Sequence, residues 1–308
     1  MKQSVNVMHD AFADFYNNKT LAPLRTITEF DQSALTVFYK PSCLLDSDTV
    51  GIKLLAQTQK ESGTPTIQGL NLLVDGKTGS FFAILDGAYL TALRTGATSG
   101  LATDFFARKN AKTAAIFGAG AQGHTQLEGV CAVRAIERAY IYDINKEAVN
   151  TYIEEMQPYL DIELLVGKNT VQLQEVDIIC TATASTKPLF SLTDLKEGVH
   201  INAIGSYKST MQEIDPNIIT SARVYVDQKD ACLAETGDFL KPMNEGIMNA
   251  DHIFAEIGEV IAGKKGGRHN DKEITLFKSV GIAIQDLAIS KAAYHAAVKQ
   301  NTATFVDI

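Results

Sequence analysis

A glycine-rich turn between a short apolar strand and a helix is the feature that most restricts the fold of this 308-residue chain. The β-forming run Thr113–Phe117 leads into Gly118-Ala-Gly120-Ala-Gln-Gly123, and the segment 124–134 that follows is compatible with a helix. In this order, backbone N–H groups and a helix N-terminus meet where a pyrophosphate can bind. The sequence therefore predicts a dinucleotide-binding turn, and a tight strand-to-helix turn without a ligand is the alternative.

An acidic residue ends the next apolar run. Asp143 follows Tyr140-Ile-Tyr142, at about the distance where a carboxylate holds the ribose hydroxyls of the adenosine half of a dinucleotide. This carboxylate favours NAD(H), because it would repel the 2′-phosphate of NADP(H). Lys146 is close to it in the sequence, so NADP(H) stays open as the alternative cofactor.

The composition is that of an acidic chain that can bury a large core. Hydrophobic residues make up 45% of the chain, charged residues make up 21%, and the net charge is −8. This negative field argues against nucleic acid or an anionic membrane as a general partner. The four cysteines show no Cys-x-x-Cys spacing and the six histidines show no ligand spacing. We therefore expect a cytoplasmic protein with neither disulfides nor a metal.

The first third of the chain predicts an α+β domain. The turn Asp75-Gly-Lys-Thr-Gly79 lies between two β-forming runs, so those two strands should form an antiparallel hairpin. The predicted elements are a helix at 1–18, strands at 35–40, 50–56, 67–74 and 80–85, and a helix at 87–107.

From Thr113 onward strands and helices alternate, which is typical of a parallel sheet covered on both faces. A last helix at 280–299 follows the completed sheet and is assigned back to the first domain. The fold class predicted is α/β, with a Rossmann-type dinucleotide-binding domain (111–279) inserted into the α+β domain (1–110 with 280–308). The predicted strands lie near 113–117, 138–142, 162–166, 176–180, 199–204 and 222–226, and the helices at 124–134, 145–157 and 169–174.

Three basic residues of the first domain, Arg25, Lys53 and Arg94, lie among apolar or small neighbours rather than in charge runs. On its strand, Lys53 points away from the face that Ile52 and Leu54 share. Arginine can bind a carboxylate through two hydrogen bonds, and a desolvated lysine can donate a proton near neutral pH. Together they fit a small carboxylic acid whose C=N or C=O bond accepts a hydride. Taken singly, each could be a solvated cation or a structural ion pair.

Three segments together resemble the ornithine cyclodeaminase and μ-crystallin family. They are the run 86–102 around Arg94, the glycine turn 118–123 and the run 273–288. The likeness covers nearly the whole chain. It implies a homodimer that acts on a small amino or imino acid, and it makes the α+β domain the substrate-binding and dimerisation domain.

The resemblance also implies roles for individual residues. Arg25, Lys53 and Arg94 fall on positions that hold the substrate carboxylate, and Lys53 is also the expected proton donor. Ser279, Val280 and Gly281 fall where the family closes the pocket around cofactor and substrate. Thr183 and Ser279 have a simpler alternative, since their hydroxyls could satisfy local backbone groups. The expected cofactor contacts are Thr66, Arg94, Gly118, Gly120, Ala121, Gln122, Gly123, Asp143, Thr183, Ile204 and Ser279.

One residue departs from the cyclodeaminase pattern. Those enzymes carry an aspartate just after a glycine pair, where this chain has Tyr207 after Gly205-Ser206. A tyrosine, with a reference pKa of about 10, cannot act at neutral pH as a carboxylate base. The chain is more similar to members that reduce Δ1-pyrroline-2-carboxylate or Δ1-piperideine-2-carboxylate. We therefore expect an NAD(P)H-dependent reductase that forms L-proline or L-pipecolate.

Three alternatives stay open at this point. The first is a true ornithine cyclodeaminase, a lyase that recycles NAD within each turnover. The second is an open-chain amino-acid dehydrogenase that acts on alanine or arginine. The third is a non-catalytic cofactor-binding protein, which the retention of Arg25, Lys53 and Arg94 disfavours.

Overall fold

The computed structural model describes residues 1–30, 35–58 and 67–306. The chain forms two compact units, and we name each by its sheet. The parallel-sheet unit comprises Met1–Val5 and Thr95–Gly281, and the antiparallel-sheet unit comprises Asn6–Arg94 and Ile282–Ile308. The chain passes from one unit to the other three times, inside helices at Val5/Asn6 and at Arg94/Thr95, and again after Gly281. The predicted division near 110 and 279 into an inserted domain and its host stays a prediction.

The helices and strands account for most of the described chain. The helices are α1 (Lys2–Tyr16), α2 (Gly87–Phe106), α3 (Ala121–Cys131), α4 (Lys146–Met156), α5 (Pro216–Ser221), α6 (Lys229–Glu235), α7 (Gly237–Asn244), α8 (Ile257–Ile261) and α9 (Ala283–Lys299). The strands are β1 (Thr20–Leu21), β2 (Thr26–Phe30), β3 (Leu35–Leu44), β4 (Thr49–Gln57), β5 (Ile67–Asp75), β6 (Phe81–Asp86), β7 (Thr113–Phe117), β8 (Arg138–Tyr142), β9 (Glu163–Val166), β10 (Ile178–Thr181), β11 (His200–Ala203), β12 (Arg223–Val226), β13 (Ile253–Glu256) and β14 (Thr275–Lys278).

The antiparallel sheet has the order β1-β3-β4-β5-β6, and β2 pairs with β3. The predicted hairpin of β5 and β6 is confirmed. One face is covered by α9, and β4 carries Gly51 there. A Cβ on Gly51 would lie 2.6 Å from Leu287 Cδ1, so glycine is what lets the helix pack this closely. The other face presents large apolar side chains to solvent, among them Tyr39, Leu70 and Ile84.

Lys53 lies on the face of β4 opposite to Ile52 and Leu54, as the alternation of a strand requires. Apolar residues usually mark the buried face of a strand, but on β4 they lie on the other face. Lys53 is on the α9-covered face and is only 2% exposed, whereas Ile52 and Leu54 lie on the more accessible face. The polar side chain is therefore inside, and its apolar neighbours are outside.

All strands of the second sheet are parallel, in the order β13-β12-β14-β11-β10-β7-β8-β9. Numbered along the chain within this sheet, the order from β9 to β11 is 3-2-1-4-5, as in a doubly wound Rossmann sheet, and it reverses between β7 and β10. The sixth place is taken by β14, the eighth strand of the sheet, and β12 and β13 lie beyond it. The predicted fold class is confirmed. Buried residues on one side of the sheet form a single apolar core that includes Ile116, Leu127, Ile141 and Tyr152.

The sequence-based predictions missed the short elements. β1, β2, β13 and β14 have no counterpart among the predicted strands, and the predicted helix at 169–174 is a 3₁₀ turn, Thr170–Glu175. In β14 a fully buried Lys278 interrupts the apolar pattern that marks a central strand. The last helix begins at Ala283 rather than 280, because Gly281 has a φ of +80°. No helix within the described ranges combines the length and apolar character needed to cross a bilayer.

Candidate functional site

The glycine turn in the parallel-sheet unit has the backbone of an anion-binding loop. Gly118 has a φ of +106°, and a Cβ there would lie 2.6 Å from Ala182 O. A Cβ on Gly123 would lie 2.0 Å from Gly118 O, whereas one on Gly120 would meet nothing within 4 Å. Two glycines therefore close the turn, and the third leaves open space beside the backbone. These features fit a bound pyrophosphate.

The helix after the turn begins without a side-chain cap. Gly120 is the N-cap of α3 and offers no side-chain acceptor. The N–H groups of a first helical turn lack partners within the helix, here those of Ala121 and Gln122, so they can donate to a phosphate together with the helix dipole.

Asp143 follows β8 and is held in place by the backbone. Its Oδ2 accepts from Ala119 N at 2.8 Å and its Oδ1 accepts from Asn145 N at 2.9 Å. Each carboxylate oxygen has a second lone pair, so both can still accept a ribose hydroxyl. Lys146, the first residue of α4, is exposed nearby in the chain.

The other predicted cofactor residues of this unit follow β10, β11 and β14. Thr183 donates from both N and Oγ1 to Glu213 Oε1. Ile204 N donates to Thr181 O at 2.9 Å. All of these segments lie at the carboxyl edge of the parallel sheet, where doubly wound folds bind ligands. Thr66, by contrast, lies outside the described residues.

A buried aspartate fixes the segment predicted to close the pocket. Asp227, 1% exposed, accepts at Oδ2 from Ser279 Oγ at 2.7 Å, Val280 N at 3.0 Å and Gly281 N at 2.8 Å. Asp227 is not among the residues predicted from the sequence. Its position directly after the apolar run of β12 is the same pattern that selected Asp143 after β8.

Three cations of the antiparallel-sheet unit converge on one buried carboxylate. Lys40 of β3 and Lys53 of β4 are register partners, and each places Nζ 2.9 Å from an oxygen of Asp286 in α9. Arg94 of α2 donates from Nε to Asp286 Oδ1 at 3.0 Å and from Nη1 to Gln285 Oε1 at 3.0 Å. The four charged residues are between 2% and 6% exposed. We call them the Asp286 cluster.

Burial and the neighbouring charges set the protonation of the cluster. Burial lowers the pKa of Lys53 to about 7, against the opposing effect of Asp286. Burial also lowers the pKa of Lys40. Burial acts to raise the pKa of Asp286, but Arg94, Lys40 and Lys53 together hold it well below its ordinary value. Asp286 is therefore ionised, and Lys53 can exchange a proton near neutral pH.

Arg25 joins the surroundings of this cluster. Its guanidinium carbon lies 5.2 Å from the centre of the Phe38 ring, and its charge contributes to the lowered pKa of Lys40. The structure thus gathers the three predicted cations in one unit, with Lys53 and Arg94 on the same carboxylate. A structural ion pair needs one cation, whereas Asp286 contacts three. Arg94 balances the charge of Asp286, so protonation of Lys53 or Lys40 gives the four cluster side chains a net positive charge.

A small cavity adjoins the cluster. Lys40, Lys53, Asn71, Asp286 and Ser290 are among the residues that line it. Asn71 Nδ2 donates to Ser290 Oγ at 2.8 Å, and its Oδ1 has no hydrogen-bond partner within the described residues. A polar lining of this kind suits an ordered water beside the Lys53 ammonium.

Three members of this site are not among the site residues predicted from the sequence: Lys40, Gln285 and Asp286. Lys40 follows Phe38-Tyr39, and Asp286 lies between Gln285 and Leu287 in the otherwise apolar run 282–289. Lys53 was selected because it is an ionisable residue among apolar neighbours. The same criterion would also have selected Lys40 and Asp286. Tyr207 is partly exposed, and the Lys208 ammonium lies 6.0 Å from its ring centre.

Comparison with known proteins gives consistent relationships. The model of the ornithine cyclodeaminase/mu-crystallin family matches residues 1–301. A Δ1-pyrroline-2-carboxylate reductase of Bacillus cereus is 38% identical over 301 residues, which cover 96% of this chain and 92% of that protein.

Two solved structures are similar over almost the full length. One is Thermococcus litoralis Δ1-pyrroline-2-carboxylate reductase in complex with NADH and L-proline, at 40% identity and a TM-score of 0.96, covering 99% of this chain and 96% of the other. The other is an archaeal alanine dehydrogenase dimer with bound NAD, at 31% identity and a TM-score of 0.91, covering 99% and 94%.

Replacing Asp286 by asparagine removes the negative charge that three buried cations share and nearly preserves the shape. We expect Asp286→Asn to lower the free energy of unfolding by about 3–5 kcal/mol, measured by urea denaturation. Asp46→Asn is the matched control, because Asp46 pairs with Lys19 at 2.7 Å on the surface, where solvent screens the pair. An Asp286→Asn variant as stable as the wild type would contradict a shared buried carboxylate.

Proposed function

The chain belongs to the ornithine cyclodeaminase/μ-crystallin family, and on that premise we propose that it uses NADH to reduce a cyclic α-imino acid. The substrate is Δ1-pyrroline-2-carboxylate or Δ1-piperideine-2-carboxylate, and the product is L-proline or L-pipecolate. The observation that carries this proposal is the Asp286 cluster, in which Lys53 has a pKa of about 7. Its net positive charge suits the carboxylate of a small imino acid.

The relatives support the same reaction. The Bacillus cereus protein is a Δ1-pyrroline-2-carboxylate reductase, and the Thermococcus litoralis reductase was solved with NADH and L-proline. Both similarities extend over at least 96% of this chain. A proposed reaction says more than a shared fold, because proteins with folds of this type catalyse many different reactions.

The parallel-sheet unit supplies the residues that would hold the cofactor. The first-turn N–H groups of α3 would bind the pyrophosphate, and Asp143 would accept from the adenosine ribose hydroxyls. The same carboxylate disfavours a 2′-phosphate, which is why we propose NADH rather than NADPH. Thr183, Ile204 and Ser279 would contact the remainder. When bound, the reduced nicotinamide supplies the hydride.

The antiparallel-sheet unit supplies the acid and the anion site. Arg25 and Arg94 hold the substrate carboxylate through charge-assisted hydrogen bonds. Lys53, directly or through a water in the adjoining cavity, keeps the imine nitrogen protonated, and a protonated C=N carbon accepts a hydride more readily. One hydride to the carbon and one proton on the nitrogen complete the reduction. Val280 and Gly281, the other predicted substrate contacts, belong to the parallel-sheet unit.

Tyr207 distinguishes this reaction from cyclodeamination. Ammonia release from ornithine needs a base at the position where cyclodeaminases have aspartate, and a phenol is a poor base at neutral pH. Imine reduction needs a proton donor instead. Lys53 meets that need.

We propose that the protein is cytoplasmic and homodimeric. Its four cysteines are free thiols, as in proteins of reducing compartments. The face of the antiparallel sheet opposite to α9 exposes Tyr39 by 37%, Leu70 by 48% and Ile84 by 58%. An apolar strand surface of this kind favours association, and the archaeal alanine dehydrogenase is a dimer.

Purified protein should oxidise NADH in the presence of a cyclic α-imino acid, and more slowly oxidise NADPH. Lys53→Ala should lower turnover by about 100-fold or more, the range in which a positioned acid contributes, while NADH binding stays unchanged. Turnover is measured by the absorbance of NADH, and NADH binding is measured by titration of its fluorescence. Lys77→Ala is the control, because Lys77 is an exposed lysine paired with Asp48.

Other substrates separate the alternatives in the same assay. Ammonia release from ornithine without net NADH formation would identify a cyclodeaminase. Alanine- or arginine-dependent reduction of NAD would identify an open-chain dehydrogenase. Absence of turnover across a panel of five- and six-membered cyclic imines would remove the proposed reaction.

The pH dependence of kcat/KM should report Lys53. Because the ammonium is the active form and its pKa is about 7, kcat/KM for the imino acid should be flat at lower pH. It should fall by about tenfold per pH unit above that value. Lys53→Arg keeps its charge throughout, so its residual activity should lack this decline. A decline shared equally by both proteins would assign it to the substrate and not to Lys53.

Light scattering coupled to size exclusion should give twice the chain mass. Ile84→Asp places a charge in the apolar face and should shift the protein toward the monomer, since burying an unpaired carboxylate in an interface is unfavourable. Val171→Asp is the control, because Val171 is 71% exposed and lies in the other unit. A monomeric wild-type protein at micromolar concentration would exclude the proposed dimer.

A further inference from the structure

A buried glutamate ties together the two loops that follow β10 and β11. Glu213 has no exposed surface. Its Oε1 accepts from Thr183 N at 2.7 Å and from Thr183 Oγ1 at 2.8 Å. Its Oε2 accepts from Thr181 Oγ1 at 2.8 Å and from Ser206 N at 3.1 Å. One side chain thus holds the backbone of both loops.

The chemistry of these contacts requires a carboxylate. Four donors match the four lone-pair positions of an ionised carboxyl group. Two of the donors are the backbone N–H groups of Thr183 and Ser206, which cannot rotate away. A side-chain amide in place of the carboxylate would bring its own NH₂ against one of them. Glu213 therefore cannot be replaced by an amide of the same shape without loss of a hydrogen bond.

A second buried carboxylate anchors Glu213 from behind. Asp238 Oδ1 accepts from Glu213 N at 2.7 Å and from Ile214 N at 3.0 Å, and its Oδ2 accepts from Lys278 Nζ at 2.9 Å. Burial and the charge of Asp238 raise the pKa of Glu213, and Lys278 and the bonds from Thr183 act in the opposite direction. The network connects β14 to both loops through buried groups.

The two loops have little room to move around this carboxylate. A Cβ on Gly205 would lie 2.4 Å from Glu213 Oε1 and 2.3 Å from Thr183 O. The loop after β11 thus packs directly on the loop after β10. A change in the position of the Glu213 carboxylate is transmitted to both.

The sheet order assigns these loops to one half of a dinucleotide. Asp143, the predicted ribose ligand, follows β8, which lies on one side of β7, whereas β10 and β11 lie on the other side. A dinucleotide spans the point where the strand order reverses, with its adenosine half toward the strand that carries the acidic residue. The loops held by Glu213 would therefore face the nicotinamide half of a bound dinucleotide.

We propose that Glu213 is a positioning residue that shapes the nicotinamide half of the cofactor site and leaves the adenosine half unaffected. The inference rests on the cofactor of the proposed function but not on the identity of the imino acid. Glu213 is buried and does not need to contact the cofactor. Through the two loops it determines whether the nicotinamide is placed productively.

The test compares two ligands on one variant. In Glu213→Gln the affinity for NADH, measured by calorimetry, should fall by about tenfold, the effect of losing a hydrogen bond to a charged group. The affinity for ADP, which lacks the nicotinamide riboside, should stay within about twofold. Equal losses for both ligands, or no loss for NADH, would overturn the proposal.

Two further variants serve as an independent test and as a control. Thr181→Val removes one donor to Glu213 and keeps the charge, so it should show the same selective loss for NADH to a smaller extent even if Glu213→Gln does not fold. Glu256→Gln is the matched control, because Glu256 is a half-buried glutamate of the same unit that accepts from Lys229 N at 2.7 Å, and both affinities should be unchanged. Binding needs no turnover, so failure on every imine would leave this result standing.

Discussion

The contact on which the antiparallel-sheet unit most depends is the carboxylate of Asp286. Lys40, Lys53 and Arg94 come from β3, β4 and α2, and each would be expensive to bury alone. A single ionised aspartate on α9 offsets that cost for all three. It also sets the chemistry, because its charge raises the pKa of Lys53 against the effect of burial. Without it, burial would lower the pKa of Lys53 further and leave less of the ammonium form that serves as the acid.

The parallel-sheet unit uses buried carboxylates for a related purpose. Asp227 accepts from the backbone of Val280 and Gly281, and Glu213 accepts from the backbone of Thr183 and Ser206. In both cases an acidic side chain immobilises a loop that carries predicted ligand contacts. The loops could adopt other conformations on their own, and a charge-assisted hydrogen bond to a backbone N–H is a strong way to select one. The positions of the predicted ligand contacts are thus fixed by Asp227 and Glu213, which are buried below the loops.

Local sequence patterns predicted the parts that local interactions determine. The strand and the glycine turn are contiguous and Asp143 ends the next strand, so short-range spacing was sufficient to predict them. Lys53 and Arg94 were selected by their apolar or small neighbours. The remainder depends on contacts between distant residues. Lys40 and Asp286 are 246 residues apart, and nothing near either one indicates the other. β14 was missed because its buried Lys278 pairs with Asp238, 40 residues away, and only that pairing makes a charge acceptable inside the sheet.

The antiparallel sheet buries charged and polar side chains on its α9-covered face and exposes large apolar side chains on the opposite face. Strands β3, β4 and β5 carry Lys40, Lys53 and Asn71 toward α9, and the alternation of a strand directs their neighbours Tyr39, Ile52 and Leu70 to the other face. Shifting the register by one residue would bury the apolar side chains but expel the cations. The sequence thus keeps the cluster at the cost of an exposed apolar face. Burial of that face against a second copy would recover the hydrophobic contribution and stiffen the same strands that position the Asp286 cluster.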